Sequence, residues 1–319
     1  MTAIPVVDEH ALREAVTPEW AVDVMREAFR ADGEGRTRVP SPINLDLPSA
    51  HGEFHIKTAY IADVPHIAVK VASGFYDNPS RGLPSGSGLM AVFDAETGFP
   101  CALLLDNGFL TDIRTAAAGA VAADLLARPR VETVGVLGSG VQARLQIRCL
   151  RTVRTFDRVI AWSRTRANLE RYCDELRAEG LEVEAADTPQ HVCRADILIT
   201  ATPSREPLVR AAWLHDGLHV TALGSDAPGK QELDADCLDR ADLVVVDRFA
   251  QCAAFGELKH ALDAALLTRH DVHAELGAVA AGLRPGREHD RQITIADLTG
   301  VGFQDTAIAS RVLRVLENR

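Results

Sequence analysis

Residues 131–150, VETVGVLGSGVQARLQIRCL, decide the fold of this chain. A short apolar run ends at Leu137, and small residues follow at Gly138, Gly140 and Ala143 before an apolar-periodic stretch begins. This order predicts a strand, a tight turn and a helix. The first glycine permits the turn, the second lets backbone approach a pyrophosphate, and the alanine lets helix and strand pack closely. We therefore predict a dinucleotide-binding turn.

Downstream of this turn, short apolar runs alternate with helical patterns. Such alternation predicts a parallel sheet flanked by helices, which is the Rossmann-type doubly wound α/β fold. The expected strands are 133–137, 158–162, 182–185, 196–200, 218–222 and 242–246.

The N-terminal part has a different pattern. A helix is expected after Thr17, with Pro18 at its first position and Gly33 near its end. Between residues 38 and 93, short alternating segments punctuated by proline predict an antiparallel or mixed β region. A second, α+β domain is therefore expected. We place the first domain at residues 1–129 and the nucleotide domain at 130–303, and we expect an amphipathic helix, 304–319, to return to the first domain.

Composition excludes several functions. The chain has 319 residues, a hydrophobic fraction of 47% and a net charge of −11, so a nucleic-acid partner is not expected. Its six cysteines and its histidines show no metal-ligand spacing, so no metal is expected. No signal-peptide pattern and no uninterrupted apolar run of membrane-spanning length occur, so we expect no membrane partner and a cytoplasmic location.

Six motifs together resemble one family, that of ornithine cyclodeaminase and μ-crystallin. Their order and spacing carry the resemblance, which extends over nearly the whole chain and is strongest toward the imine-reducing members, including iminosuccinate reductases. The motifs are HIAVKVASGFYDNPSRGLPSGSGLM (66–90), DAETGFP (94–100), LLLDNGFLTDIRTAAAGAVAA (103–123), GVLGSGVQA (135–143), TATPSREPLV (200–209) and ALGSDAPGKQELD (222–234).

The resemblance implies an NAD(P)-dependent enzyme that acts at the α-carbon of an amino acid. In such an enzyme, either the oxidised cofactor takes hydride from an amine-bearing carbon or the reduced cofactor delivers it to an imine. The resemblance also implies a homodimer whose N-terminal domain supplies both the substrate pocket and the subunit contact.

Three cations are candidates for the substrate α-carboxylate. Arg114 stands near the start of a helix of small residues, where a cation opposes the local dipole and an anion is expected beside it. The resemblance makes it a bidentate carboxylate clamp; the alternative is a salt bridge to Asp112 or Asp106. Lys70, in the apolar strand IAVKVA, would be a second ligand with a part in proton transfer, unless it faces solvent. Arg38 is the third candidate, with Arg36 as its competitor.

Lys57 bears on the identity of the substrate. In family members that cyclise ornithine, the equivalent residue is a glutamate that faces the side-chain amine. A lysine there would repel an ammonium and attract a second carboxylate, so the resemblance implies a dicarboxylic substrate. The alternative is that Lys57 points to solvent. His55 would be its companion on the same strand face.

Asp226 follows the predicted strand HVTAL, and ligands of α/β sheets bind at the carboxyl ends of strands. Local sequence alone favours a turn or capping role before Pro228. The resemblance instead implies that Asp226 is the acid/base group that serves the imine nitrogen.

Ten residues are predicted to contact the cofactor. The strand RVIAW ends in Ser163 and Arg164 rather than in the acid that usually binds the ribose 2′-hydroxyl, which favours NADP, whereas the resemblance to iminosuccinate reductases implies NADH. Both remain open. A structural turn is the alternative role of Thr202 and Pro203. The ten are Gly138, Ser139, Gly140, Val141 and Gln142 in the turn, Ser85 from the first domain, Ser163 and Arg164, and Thr202 and Pro203.

The predicted reaction is reduction of iminosuccinate to aspartate. One rival is a cyclodeaminase-type lyase with bound NAD, which would use the same Lys70, Arg114 and Asp226. A second is a μ-crystallin-like cofactor-binding protein, and a third is an enzyme that degrades ectoine-type diamines.

Overall fold

The structure, a computed structural model, describes residues 4–317. The chain folds into two compact units. Unit 1 consists of Met1–Thr115 and Val301–Arg319, and unit 2 consists of Ala116–Gly300. None of the helices formed by residues 4–317 combines the length and the apolarity that a membrane crossing requires.

The helices and strands follow one another along the chain, with single 3-10 turns at Pro48–Ala50, Asn78–Arg81, Ala211–Trp213 and Arg269–Asp271. In chain order they are β1 (Val6–Asp8), α1 (Glu9–Ala15), α2 (Pro18–Gly33), β2 (Thr37–Arg38), β3 (Ile43–Leu47), β4 (Gly52–Ile61), β5 (His66–Phe75), β6 (Gly86–Asp94), β7 (Pro100–Leu105), α3 (Phe109–Leu126), β8 (Thr133–Leu137), α4 (Val141–Leu150), β9 (Arg158–Trp162), α5 (Arg166–Ala178), β10 (Glu182–Ala185), α6 (Pro189–Val192), β11 (Ile197–Thr200), β12 (His219–Ala222), α7 (Asp236–Arg240), β13 (Leu243–Val246), α8 (Phe249–Phe255), α9 (Glu257–Asp263), β14 (Ala274–Glu275), α10 (Leu276–Ala280), β15 (Thr294–Asp297) and α11 (Gly302–Glu317).

Unit 1 contains a mixed sheet in the order β1-β7-β6-β5-β4-β2, and β3 also pairs with β4. Only the β1–β7 pair is parallel among the strand pairs described in this sheet; the others are antiparallel. The predicted antiparallel or mixed β region is thus confirmed. Its long hairpin, β4–β5, sets Lys57 directly opposite Lys70.

Two helices close the core of unit 1. α2 begins as predicted, because the Thr17 hydroxyl accepts a hydrogen bond from the backbone N–H of Trp20 and Pro18 occupies the first turn. α11 packs on α2, β4 and β5. The rings of Phe29 and Phe303 meet edge to face between the two helices, with centroids 5.2 Å apart.

Unit 2 contains an eight-stranded sheet in the order β10-β9-β8-β11-β12-β15-β13-β14. All of its described strand pairs are parallel. β9 and β11 flank β8 on opposite sides, so the strand order reverses at this point and leaves a crevice at the carboxyl ends, where such sheets bind ligands. The predicted fold class, a Rossmann-type sheet domain plus an α+β domain, is confirmed.

The division between the units differs from the predicted boundary at residue 129. It falls inside α3, after Thr115, because the second half of that helix interacts with unit 2. The Thr294 hydroxyl and the Arg287 Nε both donate to the Leu126 carbonyl, at 2.9 and 2.6 Å. The C-terminal helix begins at Gly302, two residues before the predicted start, and is described as far as Glu317; residues 318 and 319 of the predicted range lie outside the described part of the chain.

Candidate active site

The turn between β8 and α4 has the backbone geometry that a pyrophosphate requires. Gly138 has a φ of +119°, and a Cβ added there would lie 2.6 Å from the Ala201 carbonyl oxygen. Only glycine fits this position. Gly140 begins α4, and within residues 4–317 no side chain caps that helix, so its first N–H groups are available to an anion. A Cβ on Gly140 would meet no atom within 4 Å.

A cavity of about 270 Å³ adjoins this turn at the carboxyl ends of β8, β9 and β11. Its lining includes seven of the ten predicted cofactor residues. Val141 and Gln142 are not among its lining residues, and Ser85 belongs to unit 1. The lining residues are Gly138, Ser139, Gly140, Trp162, Ser163, Arg164, Thr165, Asn168, Ala201, Thr202, Pro203, Ser204 and Leu208.

The residues after β9 bear on the ribose of the cofactor. The Ser139 hydroxyl donates to the Ser163 hydroxyl across 2.9 Å, which joins the turn to the end of β9. Arg164 is exposed and makes no ion pair or hydrogen bond with any residue that the structure describes. A hydroxyl and an open guanidinium, with no carboxylate in the cavity lining, fit a nucleotide with or without a 2′-phosphate.

Gly140→Ala should weaken cofactor binding without weakening the fold. The new methyl group would point into the open space beside the turn, so we expect an unchanged melting temperature without cofactor. Because the pyrophosphate needs that space, we expect the cofactor Kd to rise at least about tenfold, roughly 1.4 kcal/mol. Calorimetric titration with NADH and NADPH measures this. An unchanged Kd would contradict the assignment, whereas Gly138→Ala should destabilise the protein with or without cofactor.

Sequence reasoning did not single out Glu232, which is hydrogen-bonded to Thr202 of the cavity lining. Its buried carboxylate accepts hydrogen bonds from the Thr200 hydroxyl, the Thr202 N–H and hydroxyl, and the Gly224 N–H, at 2.6 to 2.8 Å. Burial raises the pKa of this carboxyl, and the four donors act in the opposite direction. Glu232 therefore joins the ends of β11 and β12. The motif GKQELD contained it, but the motif alone did not indicate which backbone it would hold.

Asp226 lies two residues beyond Gly224 and forms an ion pair. Lys230 Nζ donates to Asp226 Oδ1 at 2.7 Å, and the Asp226 side chain remains about half exposed. The expected alternative, a turn or capping hydrogen bond to a following backbone N–H, is absent from the described residues. Lys230, a second missed residue, is fixed in turn because its carbonyl accepts from Ser225 Oγ and His260 Nε2. The loop thus presents a partly exposed, oriented carboxylate.

Three of the predicted substrate-binding cations gather in unit 1. Lys57 and Lys70 lie opposite each other in the β4–β5 ladder, so both side chains are on one face of the sheet. They are 8% and 2% exposed, and Arg114 is 3% exposed, which rules out the solvent-facing alternatives for both lysines. Arg114 and Lys70 contact Asp305 of α11, a carboxylate that is fully buried, and the charge of Lys57 also acts on it. We call these four residues the Asp305 cluster.

Asp305 is the most important residue that sequence reasoning missed. It contacts Arg114 Nε through Oδ1 at 3.0 Å and Lys70 Nζ through Oδ2 at 3.4 Å. The signal was present, because Asp305 occupies the same helical stripe as Ile308 and Val312, and a charged residue on a buried stripe requires a partner.

The Asp305 cluster shifts the acidity of its members. Burial lowers the pKa of Lys70 to about 7; Asp305 opposes this effect, and Arg114 and Lys57 add to it. Burial acts to raise the pKa of Asp305, but Arg114, Lys70 and Lys57 together outweigh it and hold that pKa below its ordinary value. The cluster therefore contains an ionised carboxylate and a lysine that titrates near neutrality.

The structure corrects the expected role of Arg114 as a free bidentate clamp. Its Nε donates to Asp305, and its Nη1 donates to Gln304 Oε1 at 2.8 Å. Asp305, not the expected Asp112 or Asp106, is the carboxylate that pairs with it. Nη2 is the guanidinium nitrogen that donates to no group within residues 4–317, so the ligand-free protein presents one open donor rather than a fork.

The structure does not bring Arg38 to the Asp305 cluster. Arg38 is exposed, and it stands opposite Tyr60 in the β2–β4 ladder. Because side chains alternate along a strand, that pair lies on the face opposite to Lys57. The competitor, Arg36, forms an ion pair with Glu34.

His55 does lie on the strand face of Lys57, as predicted. Its Nδ1 is 2.8 Å from Asn44 Oδ1, and its Nε2 is 3.4 Å from Glu53 Oε1. The Tyr76 hydroxyl donates to the same Glu53 oxygen at 2.5 Å. Next to Lys57 there is thus a polar group of four residues, His55, Asn44, Glu53 and Tyr76. Within the described part of the chain, no group of three or more His, Cys, Asp or Glu residues could hold a metal ion.

Comparison with known proteins identifies the family. The sequence model of the ornithine cyclodeaminase/mu-crystallin family matches residues 6–318. The chain belongs to this family. A relative from Sinorhizobium fredii, named as an uncharacterised cyclodeaminase, is 44% identical over 323 aligned residues, which cover 100% of this chain and 98% of the relative.

Two solved structures of family relatives superpose on nearly the whole chain. An archaeal alanine dehydrogenase dimer with bound NAD has a TM-score of 0.92 at 32% identity and covers 99% of this chain and 96% of its own. The iminosuccinate reductase of Paracoccus denitrificans in complex with NAD+ has a TM-score of 0.89 at 31% identity and covers 99% and 97%. The predicted family, the NAD(P)-dependent oxidoreductase class and the nicotinamide cofactor are confirmed.

Proposed function

We propose that this protein reduces an imino acid that carries a second carboxylate, and that the substrate is iminosuccinate and the product aspartate. The observation that carries the proposal is the Asp305 cluster, in which three buried cations act on one carboxylate. Buried cations attract an anionic ligand, and a substrate with two carboxylates can contact more of these cations than a substrate with one.

We propose one role for each of the predicted substrate and proton-transfer residues. Lys70 and the open Nη2 of Arg114 hold the α-carboxylate, and Lys57 attracts the second carboxylate. Asp226 handles the proton at the imine nitrogen, because it is an oriented and partly exposed carboxylate in the loop after β12.

Residues of the β8–α4 turn and of the β9 and β11 ends would hold the cofactor, which supplies or accepts hydride when bound. Two observations support this assignment: these residues line one cavity, and the open helix N-terminus suits a pyrophosphate. We also propose a homodimer, by analogy with the alanine dehydrogenase relative, whose structure is a dimer.

The test follows cofactor absorbance with purified protein. NADH and NADPH are each supplied with oxaloacetate and ammonia, which generate iminosuccinate, and a parallel reaction contains ornithine and NAD. Oxidation of either reduced cofactor with formation of aspartate is the expected result. Release of proline and ammonia from ornithine, without imine reduction, would refute the proposal.

A second candidate function is a cyclodeaminase, and one observation favours it. Glu53 lies on the strand face of Lys57 and His55, where its carboxylate could receive a side-chain ammonium. The S. fredii relative also carries that name. The ornithine reaction in the same assay distinguishes the two functions.

Ser163→Asp should shift cofactor preference toward NADH. The new carboxylate would stand at the end of β9, where it can accept from a ribose 2′-hydroxyl and repel a 2′-phosphate. We expect the ratio of kcat/KM for NADH to that for NADPH to rise at least about tenfold, roughly 1.4 kcal/mol. An unchanged ratio, measured with one imine substrate, would show that the ribose does not bind beside Ser163.

A further inference from the structure

The position of Asp305 is fixed by its neighbour Thr306 on the first turns of α11. The Thr306 hydroxyl donates to the Ala59 carbonyl at 2.8 Å and accepts from the Ala68 N–H at 3.2 Å. Ala59 lies two residues after Lys57 on β4, and Ala68 lies two residues before Lys70 on β5. One side chain thus sets the register between the helix that carries the acid and the two strands that carry the lysines.

Asp305 supplies the counter-charge that these cations need when no ligand is bound. Its two oxygens contact different partners, Arg114 through Oδ1 and Lys70 through Oδ2, and all three side chains are at most 4% exposed. A buried cation without a partner is strongly destabilising, so a site for an anion requires an internal substitute while it is empty. Gln304 holds the other edge of the Arg114 guanidinium through Nη1.

We propose that Asp305 is a positioning residue of the carboxylate site, which orients Lys70 and Arg114 in the ligand-free protein and favours the charged form of Lys70 before a substrate carboxylate arrives. The proposal rests on the proposed role of Lys70 and Arg114 as substrate ligands. It assigns Asp305 no contact with the substrate.

The charged groups around Lys70 determine whether its neutral or its charged form is favoured. Lys57 from β4 and Arg114 from α3 favour the neutral amine, whereas Asp305 from α11 favours the ammonium. The residue paired with Lys70 on β6, Met90, carries no charge. Asp106 is a further acid whose charge interacts with that of Asp305, and burial is the main cause that raises the pKa of Asp106.

The affinity for anions should therefore depend on pH in a defined direction. With a pKa of about 7, Lys70 is charged below neutrality and loses its proton as the pH rises through that value. Anion binding is thus strongest below about pH 7 and weakens above it. Without Asp305, the remaining burial and the two cations lower the pKa of Lys70 further, so the loss of affinity begins at a lower pH.

The experiment compares the wild-type protein with Asp305→Asn, which keeps the shape of the side chain and removes its charge. The probes are succinate and propionate, titrated calorimetrically between about pH 5 and 9. In Asp305→Asn, we expect the decline of affinity to move down by at least about one pH unit, so that binding near pH 8 is at least about tenfold weaker. Near pH 5 the two proteins should differ less.

Two further variants keep the test decisive. Asp23→Asn removes an exposed acid from α2 and should leave the pH dependence unchanged. Lys70→Arg should abolish the decline of anion affinity with rising pH, because a guanidinium does not titrate in this range. This variant replaces Asp305→Asn in the test if Asp305→Asn does not fold. A wild-type pH dependence in Asp305→Asn or in Lys70→Arg would overturn the proposal. Equal affinities for succinate and propionate would instead count against the dicarboxylate substrate and leave the pH test of Asp305 intact.

Discussion

Lys57→Glu should reduce kcat/KM for iminosuccinate at least about a thousandfold while leaving the protein folded. Two unit charges 4 Å apart interact by about 4 kcal/mol at an effective dielectric constant near 20, so the lost attraction to the second carboxylate alone accounts for about a thousandfold, and the new repulsion adds to it. The fold should survive because a carboxylate at position 57 would stand opposite Lys70 and could pair with it. Steady-state kinetics with both reduced cofactors measure the loss.

A matched comparison separates the second carboxylate from the first. The imine formed from pyruvate and ammonia has only the α-carboxylate, and we expect Lys57→Glu to reduce its turnover less than about tenfold. Lys57→Met, which removes the charge without reversing it, should fall between the wild type and Lys57→Glu with iminosuccinate. If all imines lose activity equally, Lys57 serves the α-carboxylate together with Lys70, and the preference for a dicarboxylate has another origin.

Arg114→Lys should impair the reduction of every imino acid, acidic or neutral. A lysine would keep a positive charge near Asp305, but its compact ammonium lacks the spread of the planar guanidinium, whose separate nitrogens bond Asp305 and Gln304 and leave a third for the substrate. Charge-assisted hydrogen bonds contribute roughly 1.5–3 kcal/mol each, so we expect kcat/KM to fall roughly 10- to 150-fold. The same two imines distinguish this general loss from the selective loss in Lys57→Glu.

Arg38→Lys is the matched control for Arg114→Lys. It makes the same exchange at an exposed residue that lies on the sheet face opposite to Lys57. The Nη1 of Arg38 donates to the Thr37 carbonyl. We expect less than about a twofold change in kcat/KM, because exposed substitutions away from a site have small effects. A large loss in Arg38→Lys would restore Arg38 as a carboxylate ligand and contradict the assignment made from the sheet register.

The cofactor turn could be predicted because its chemistry is local. Gly138 and Gly140 are two residues apart, and their spacing alone specifies a turn whose backbone approaches a phosphate. Ser163 and Thr202 were predictable for a related reason, since each follows a strand and parallel strands carry their carboxyl ends to one edge. The cavity beside Gly138 includes both of them.

The Asp305 cluster could be predicted only in part. Lys57, Lys70 and Arg114 were recognised through the family resemblance, but Asp305 lies 191 residues after Arg114 and no local pattern joins them. The strand face of Arg38 could not be predicted, because two residues of strand do not reveal which face they share with Lys57. Glu232 and Lys230 belonged to a recognised motif, yet their partners depend on how two loops meet.

By itself, the sequence determined the parallel sheet, the dinucleotide turn and the family, because each is encoded by residues close together along the chain or by motifs in a set order. The tertiary structure alone decided that Lys57 stands opposite Lys70, that Arg38 faces away, and that Asp305 pairs with Lys70 and Arg114. The physical reason is register. A shift of one residue in a strand reverses its faces, and the seating of Thr306 of α11 on β4 and β5 determines which acid the buried cations meet.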